Sequence, residues 1–203
     1  MLVVGLTGGI GTGKTTFAAL LAERGAQIID ADLLGRDALL PGRPAWHSVV
    51  DQFGDDILAA NSMDIDRKRL ADVVFEDPDK LAALNAIVHP AIFKGIADRL
   101  ESLQGTDEIV VLDVALLIET GLDSSVDVIV VVEAPERDRI DRLARSREMS
   151  FGDVRARMAA QADPREVKAR ADIVVVNSAS LEQLAREADR VWAELRTRSA
   201  GPP

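Results

Sequence analysis

Four glycines, a lysine and two threonines crowd into Gly8-Gly9-Ile10-Gly11-Thr12-Gly13-Lys14-Thr15, with Thr16 directly behind. No ordinary helix or strand is built that way. Glycine accepts backbone angles other residues avoid, so such a stretch turns tightly and points successive N–H groups inward. The spacing G-x-x-x-x-G-K-[ST] is that of a loop that cradles phosphates. Its context agrees, with an apolar run before it and a helical pattern after it, whose positive end adds to the pull on an anion. Lys14 is expected to reach the β- and γ-phosphates, Thr15 to offer its hydroxyl to Mg²⁺, and the loop from Gly9 to Thr16 to hold ATP. The competing reading is a glycine-rich turn that only joins a strand to a helix.

Further candidates lie where apolar runs end in carboxylates. Ile28-Ile29 leads into Asp30-Ala31-Asp32 and Val110-Val111-Leu112 into Asp113. Carboxyl ends of parallel strands face the ligand crevice. Asp32 is therefore placed to orient and deprotonate an acceptor hydroxyl, while Asp30 or Asp32 also suits the cap of the following helix. Asp113 is the expected Mg²⁺ partner of the phosphate loop, or else a strand-end carboxylate in a turn. Arg142 and Arg145 stand one turn apart on a helical pattern, with Arg147 and Arg157 beyond. Guanidinium groups clamp phosphates and stabilise charge on a transferring group, although most such helices are solvated faces of alternating charge.

These residues need elements to carry them. Apolar runs rich in valine and isoleucine recur at 2–6, 26–29, 109–112, 126–132 and 173–176. They lack period-2 alternation, as strands buried on both faces do. Helical patterns fall at 15–24, at 135–147 behind Pro135, and at 181–196 behind Ser180, where Gln183 is spaced for a capping box. Alternating strands and helices predict an α/β fold around a parallel five-stranded sheet. The stretch 32–104 reads as a helical insertion without a convincing strand. Residues 148–170 read as helical and polar, and 199–203 as a disordered tail.

Composition narrows the function. The chain has 203 residues, no cysteine and a net charge of −10. Disulfides, thiolate metal sites and cysteine nucleophiles are excluded. An acidic balance disfavours general nucleic-acid binding. Residues 135–170 nevertheless carry ten Lys/Arg against seven Asp/Glu, which suits small anions. No run approaches the length of a membrane span, and no signal-like start is seen, so a cytoplasmic protein is expected. Asn61, Asn85 and Asn177 are the only asparagines and lysine follows none of them. The Asn-Lys-x-Asp guanine reader is thus absent, and a small-molecule kinase is favoured over a switch or motor NTPase.

Taken together, the pieces resemble the dephospho-CoA kinase family over nearly the whole chain. The resemblance runs through Gly5 to Thr15, Asp30-Ala31-Asp32, Ile65-Asp66-Arg67 with Leu70 and Phe75, and Leu84-Asn85 with Ile87-Val88-His89-Pro90. It continues through Asp113-Val114-Ala115-Leu116-Leu117-Ile118-Glu119, Arg142-Leu143, Arg157 to Gln161, Ala171-Asp172 and Asn177-Ser178. It implies a P-loop NTPase fold with a helical substrate-binding insertion and a lid: a core of 1–31, 105–141 and 162–198, a CoA-binding region of 32–104 and a lid of 142–161. The implied reaction is ATP-dependent phosphorylation of the ribose 3′-hydroxyl of dephospho-CoA, the last step of coenzyme A biosynthesis. Asp32 is then the general base, Lys14 the phosphate binder and Arg142 a lid arginine. Arg147 and Asn177 join the nucleotide site, and His89, Leu116 and Leu117 the substrate site. No nucleic acid, membrane or obligate protein partner is implied. His89, preceding a proline expected to end or kink its helix, also reads as a capping or packing residue, and Phe75, Leu116 and Leu117 as core. The family pattern Asp-x-Pro-Leu-Leu-Phe-Glu is broken by Ala115 and Ile118. Val176 stands where an aspartate is common, and Ser146 where an arginine is. The alternative is a kinase of the same scaffold acting on a nucleoside monophosphate or a small alcohol, acceptors too small to need residues 32–104.

Overall fold

The structure, a computed structural model, describes residues 1–147, 161–178 and 180–200, with the side chains of 145–147 left aside. The expected lid residues 148–160, including Arg157, and the last three residues lie outside that description, as do the side chains of Arg145 and Arg147. The chain divides into two compact units, Met1–Ile29 with Leu103–Pro203, and Asp30–Ser102.

The first unit is built on a five-stranded sheet. Its strands are β1 (Leu2–Thr7), β2 (Gln27–Asp30), β3 (Ile109–Asp113), β4 (Val128–Glu133) and β5 (Ile173–Val176), in the order β2-β3-β1-β4-β5. β1 runs parallel to β3 with Leu6 opposite Asp113, and parallel to β4 with Val4 opposite Val128. All six residues of β1 and all five of β3 are buried, which is why both strands read as unbroken apolar runs. Gly5 interrupts β1 because Leu117 packs there: a Cβ at Gly5 would lie 2.7 Å from Leu117 Cδ2.

Helix α1 (Lys14–Glu23) follows the glycine loop. Phe17 and Leu21 bury completely against Val4, Leu6, Val111, Val130 and Val175. The C-terminal helix α8 (Leu181–Ser199) joins that core with Leu184, Ala188, Val191 and Leu195. Its Ser180–Gln183 capping box forms as the spacing predicts. The helix extends through Ser199, so the tail expected from 199 onward is helical at its start. Helix α6 (Glu136–Arg147) follows β4, and a short helix α7 (Pro164–Ala169) precedes β5.

The second unit is helical: α2 (Ala31–Ala38), α3 (Pro44–Phe53), α4 (Arg67–Phe75) and α5 (Pro78–Ser102). Its core gathers Val49, Ile57, Leu70 and Val74, with Leu84 and Val88 of α5 packed against them. The only strand-like pairing among its described residues is an isolated bridge between Leu58 and Ile65. α5 does not stop at Pro90. It runs on for a further twelve residues to Ser102, and the proline removes only the bond to the Ala86 carbonyl. Phe75 does not join the core, because the end of α4 leaves it 71% exposed.

Candidate active site

The loop between β1 and α1 adopts the geometry its glycines allow. Gly11 and Gly13 take φ of 80° and 91°, the left-handed region that glycine enters without a steric cost. α1 begins without a side-chain cap. Among the described residues no acceptor meets the backbone N–H groups of Gly11, Gly13, Lys14, Thr15 or Thr16. The first turn of any helix leaves such donors orphaned, and its dipole favours an anion beside them. A run of unpaired N–H groups at a helix start that carries a lysine fits a polyphosphate chain.

Lys14 Nζ forms a short ion pair with Asp113 Oδ1. Asp113 ends β3 and is 5% exposed. The neighbouring backbone is fixed by Val114 N–H donating to the Leu6 carbonyl (3.0 Å) and by Thr7 Oγ1 donating to the Ala115 carbonyl (3.1 Å). The hydroxyl of Thr15 and the carboxylate of Asp113 are hard oxygen donors. Magnesium uses one or two such groups together with phosphate oxygens and water. The donor set therefore fits Mg²⁺ carried in with a nucleotide, and among the described residues there is no cluster of three His, Asp or Glu side chains that would hold a metal alone.

The outer side of the loop is braced by side chains that the sequence reading did not foresee. Arg139 of α6 is 8% exposed, and its Nε donates to the Ile10 carbonyl at 2.8 Å. Gln161 Oε1 accepts from Ile10 N–H at 2.9 Å. Burial pulls the Arg139 guanidinium below the usual arginine value, with Glu136 acting the other way, yet arginine stays protonated near neutrality. Arg142, one turn on, donates from Nη1 to the Thr12 carbonyl (3.2 Å) and from Nη2 to the Asn177 carbonyl (2.9 Å). Asn177 is buried after β5 and donates its amide to Thr12 O at 2.8 Å. Arg142 and Asn177 thus meet at the loop, where the sequence places nucleotide contacts: both donate to the Thr12 carbonyl, and Arg142 also donates to the Asn177 carbonyl. The spacing of Arg139 three residues before Arg142 was the available signal for a shared helix face.

Asp30 and Asp32 separate cleanly. Asp30 caps α2, accepting from Leu33 N–H at 2.9 Å. Asp32 sits in the first turn, exposed, and lines a cavity within the helical unit together with Arg36, Arg67, Asn85 and apolar residues such as Leu39 and Ile92. Its carboxylate has no hydrogen bond or ion pair among the described residues. His89 is not among the residues lining this cavity; its ring meets Phe93 with centroids 5.8 Å apart, a packing contact. Leu117 is fully buried beneath Gly5 and presents no surface to a ligand, whereas Leu116 is 42% exposed. No described helix is long and apolar enough to cross a membrane.

The chain is similar to known proteins along nearly its whole length. The profile of a family described as dephospho-CoA kinase matches residues 2–183. A dephospho-CoA kinase of Streptomyces avermitilis is 49% identical over the whole chain and 98% of its own length. The solved structure of TT1252 from Thermus thermophilus superposes with a TM-score of 0.80 at 34% identity, covering 96% of this chain and 97% of that one. Dephospho-CoA kinase from Campylobacter jejuni shares the fold, with a TM-score of 0.73 at 23% identity over 96% of this chain and 97% of that one.

Proposed function

We propose how the residues of this chain, which belongs to the dephospho-CoA kinase family and phosphorylates dephospho-CoA to coenzyme A with a nucleoside triphosphate, divide the work. The observation that carries the proposal is the run of unpaired N–H groups at the start of α1, the helix that begins with Lys14, whose ammonium pairs with Asp113.

ATP lies with its phosphates on residues 8–16. Gly11, Gly13 and the first turn of α1 donate to the phosphate oxygens, and Lys14 moves from Asp113 onto the β- and γ-phosphates. Thr15 and Asp113 would hold Mg²⁺, which when bound neutralises charge on the phosphate oxygens. Arg142 and Asn177 keep the loop carbonyls turned away from the phosphates, so only donors face them. Preorganised donors of this kind stabilise the charge of the transfer state without rearranging during it.

The acceptor takes the cavity of the helical unit. Asp32 accepts a hydrogen bond from the ribose 3′-hydroxyl and takes its proton as the oxygen attacks the γ-phosphorus in line. The bond from phosphorus to the ADP oxygen breaks, giving coenzyme A and ADP, and no phosphoenzyme forms. Residues 142–161, which begin within α6, are proposed as the lid that excludes water. In this reading the enzyme works in the cytoplasm on a small-molecule acceptor and needs no protein partner. The alternative acceptors, nucleoside monophosphates and small alcohols, leave much of the cavity beside Asp32 unfilled.

Incubation with ATP, Mg²⁺ and dephospho-CoA tests the assignment, with nucleoside monophosphates and shikimate in parallel. Mass spectrometry is expected to show a 3′-phosphorylated product from dephospho-CoA alone. Phosphorylation of another acceptor in its place would overturn the substrate reading.

A further inference from the structure

The phosphate loop has a mechanical problem. Its glycines give it more backbone freedom than any other stretch of the chain, and fixing each residue costs about 1–2 kcal/mol of conformational entropy. Inside the loop, one backbone hydrogen bond helps, Thr12 N–H to the Gly9 carbonyl at 3.2 Å. Ile10, between Gly9 and Gly11, has no partner within the loop. Both of its peptide groups are instead held from outside, the carbonyl by Arg139 Nε and the N–H by Gln161 Oε1.

Packing makes the Arg139 contact specific. A Cβ on Gly9 would fall 2.6 Å from Arg139 Nη2 and 3.0 Å from Cζ, and one on Gly11 would fall 2.9 Å from the Arg139 carbonyl. The flat guanidinium lies directly against Gly9, and the α6 backbone lies against Gly11. Two of the loop glycines therefore serve the approach of Arg139 as well as the turn. Both side chains, Arg139 and Gln161, line a cavity with Gly8, Gly9 and Thr12, and their bonds to the loop go to Ile10.

We propose that Arg139 is a positioning residue for the triphosphate, holding the Ile10 peptide so that the donors of Gly11 to Thr16 converge before ATP arrives. Gln161 holds the peptide on the other side of Ile10, through the Ile10 N–H. The proposal rests on the assignment of residues 8–16 as the nucleotide site. Its signature is confined to the nucleotide: a loop free to take other shapes binds ATP more weakly, in proportion to the fraction of time it is correctly shaped.

Two nearly isosteric substitutions isolate the hydrogen bond. In Arg139→Gln the amide nitrogen falls where Nε was and still donates. In Arg139→Met a methyl group falls there and cannot. A single hydrogen bond, whether its donor is a guanidinium or an amide, is worth up to about a tenfold effect. Steady-state kinetics of the full chain are expected to show the KM for ATP raised about tenfold in Arg139→Met. The KM for dephospho-CoA should stay at the parent value and kcat within about threefold. Arg139→Gln should return the KM for ATP to within about twofold. Parental kinetics in both variants would overturn the proposal, as would equal impairment of both or a matching rise in both KM values. Should Arg139→Met fail to fold, Gln161→Leu removes the second brace without disturbing the buried guanidinium, and Gln161→Glu keeps an acceptor in place. A raised KM for ATP in the leucine variant alone supports the role, and a parental value in it overturns it. Lys14→Ala runs alongside. If it also leaves ATP affinity unchanged, the nucleotide site itself is wrong; if it weakens ATP binding while the Arg139 variants do not, only the positioning role fails.

Discussion

Adding one methyl group at Gly13 tests the architecture of the loop with a computable cost. Gly13 sits at φ 91°, and a Cβ there would lie 2.3 Å from Asn177 Nδ2. Two penalties follow. Holding alanine in the left-handed region costs roughly 1–2 kcal/mol. The overlap must also displace the Asn177 amide, breaking its 2.8 Å bond to the Thr12 carbonyl. Asn177 is 8% exposed, so a displaced amide is left short of partners, at about 1–3 kcal/mol. The sum is about 2–5 kcal/mol, or at least a thirtyfold fall in kcat/KM for ATP if the strain is released by the loop leaving its shape. The two penalties separate in a double-mutant cycle. Asn177→Ala removes the obstructing amide and leaves the backbone penalty alone. In that background Gly13→Ala should cost only about five- to thirtyfold, so the two changes combine to less than the product of their separate effects. Steady-state kinetics with ATP varied at saturating dephospho-CoA on all four proteins measure the coupling. Equal effects of Gly13→Ala in both backgrounds would show that Asn177 does not fill the space behind Gly13, and the packing argument would fall.

The carboxylates and the lysine give cleaner readouts. Asp32→Asn should keep ATP affinity, measured by equilibrium titration, and lose about 10²–10⁴-fold in turnover; near-parental turnover would reduce Asp32 to a positioning group. Asp30→Ala should do the reverse, lowering stability in urea unfolding by about 1 kcal/mol through loss of the α2 cap while leaving kcat within about threefold, and a large loss of kcat there would mean the two aspartates have been assigned the wrong way round. Lys14→Ala should weaken ATP binding and slow transfer together, and unchanged ATP affinity by titration would remove Lys14 from the phosphate site.

The fold was legible where burial writes a simple pattern. β1 and β3 are covered on both faces, so each appears as an unbroken apolar run whose position no competing signal blurs. The loop was legible because glycine at fixed intervals before a lysine has few structural uses. Sequence spacing left Asp30 and Asp32 undecided, since both residue types suit a cap and a base. The choice depends on which carboxylate points at the Leu33 N–H, a matter of one residue's rotation around the start of α2. Of the two outcomes expected at Pro90, an end or a kink, the helix does not take the first. A proline argues for a helix end, but a 25-residue helix can lose one bond where its two halves are held by the packing of α5 on α2 and α4. Phe75 and Leu116 were read as core from hydrophobicity alone, which predicts burial only on average, and both are exposed.

The departures from the family pattern around Asp113 leave the backbone bonds described there intact. Where the family has proline, Ala115 contributes its carbonyl, which accepts from Thr7 Oγ1; a proline carbonyl would serve equally, so the exchange leaves that tie intact. Ile118 likewise contributes a carbonyl, accepting from Gly121 N–H at 3.0 Å, a bond indifferent to the side chain. Val176 is 55% exposed, and the neighbouring contact to the loop is made by Asn177. At each position the bond that shapes the site belongs to the backbone or to the adjacent residue. Six side chains act there through their own atoms: Lys14 pairs with Asp113, Arg139 and Gln161 bond the carbonyl and the N–H of Ile10, and Arg142 and Asn177 bond the Thr12 carbonyl. The side chains at 115, 118 and 176 make none of these bonds, whereas replacing any of the six by a side chain that can neither donate nor accept removes one.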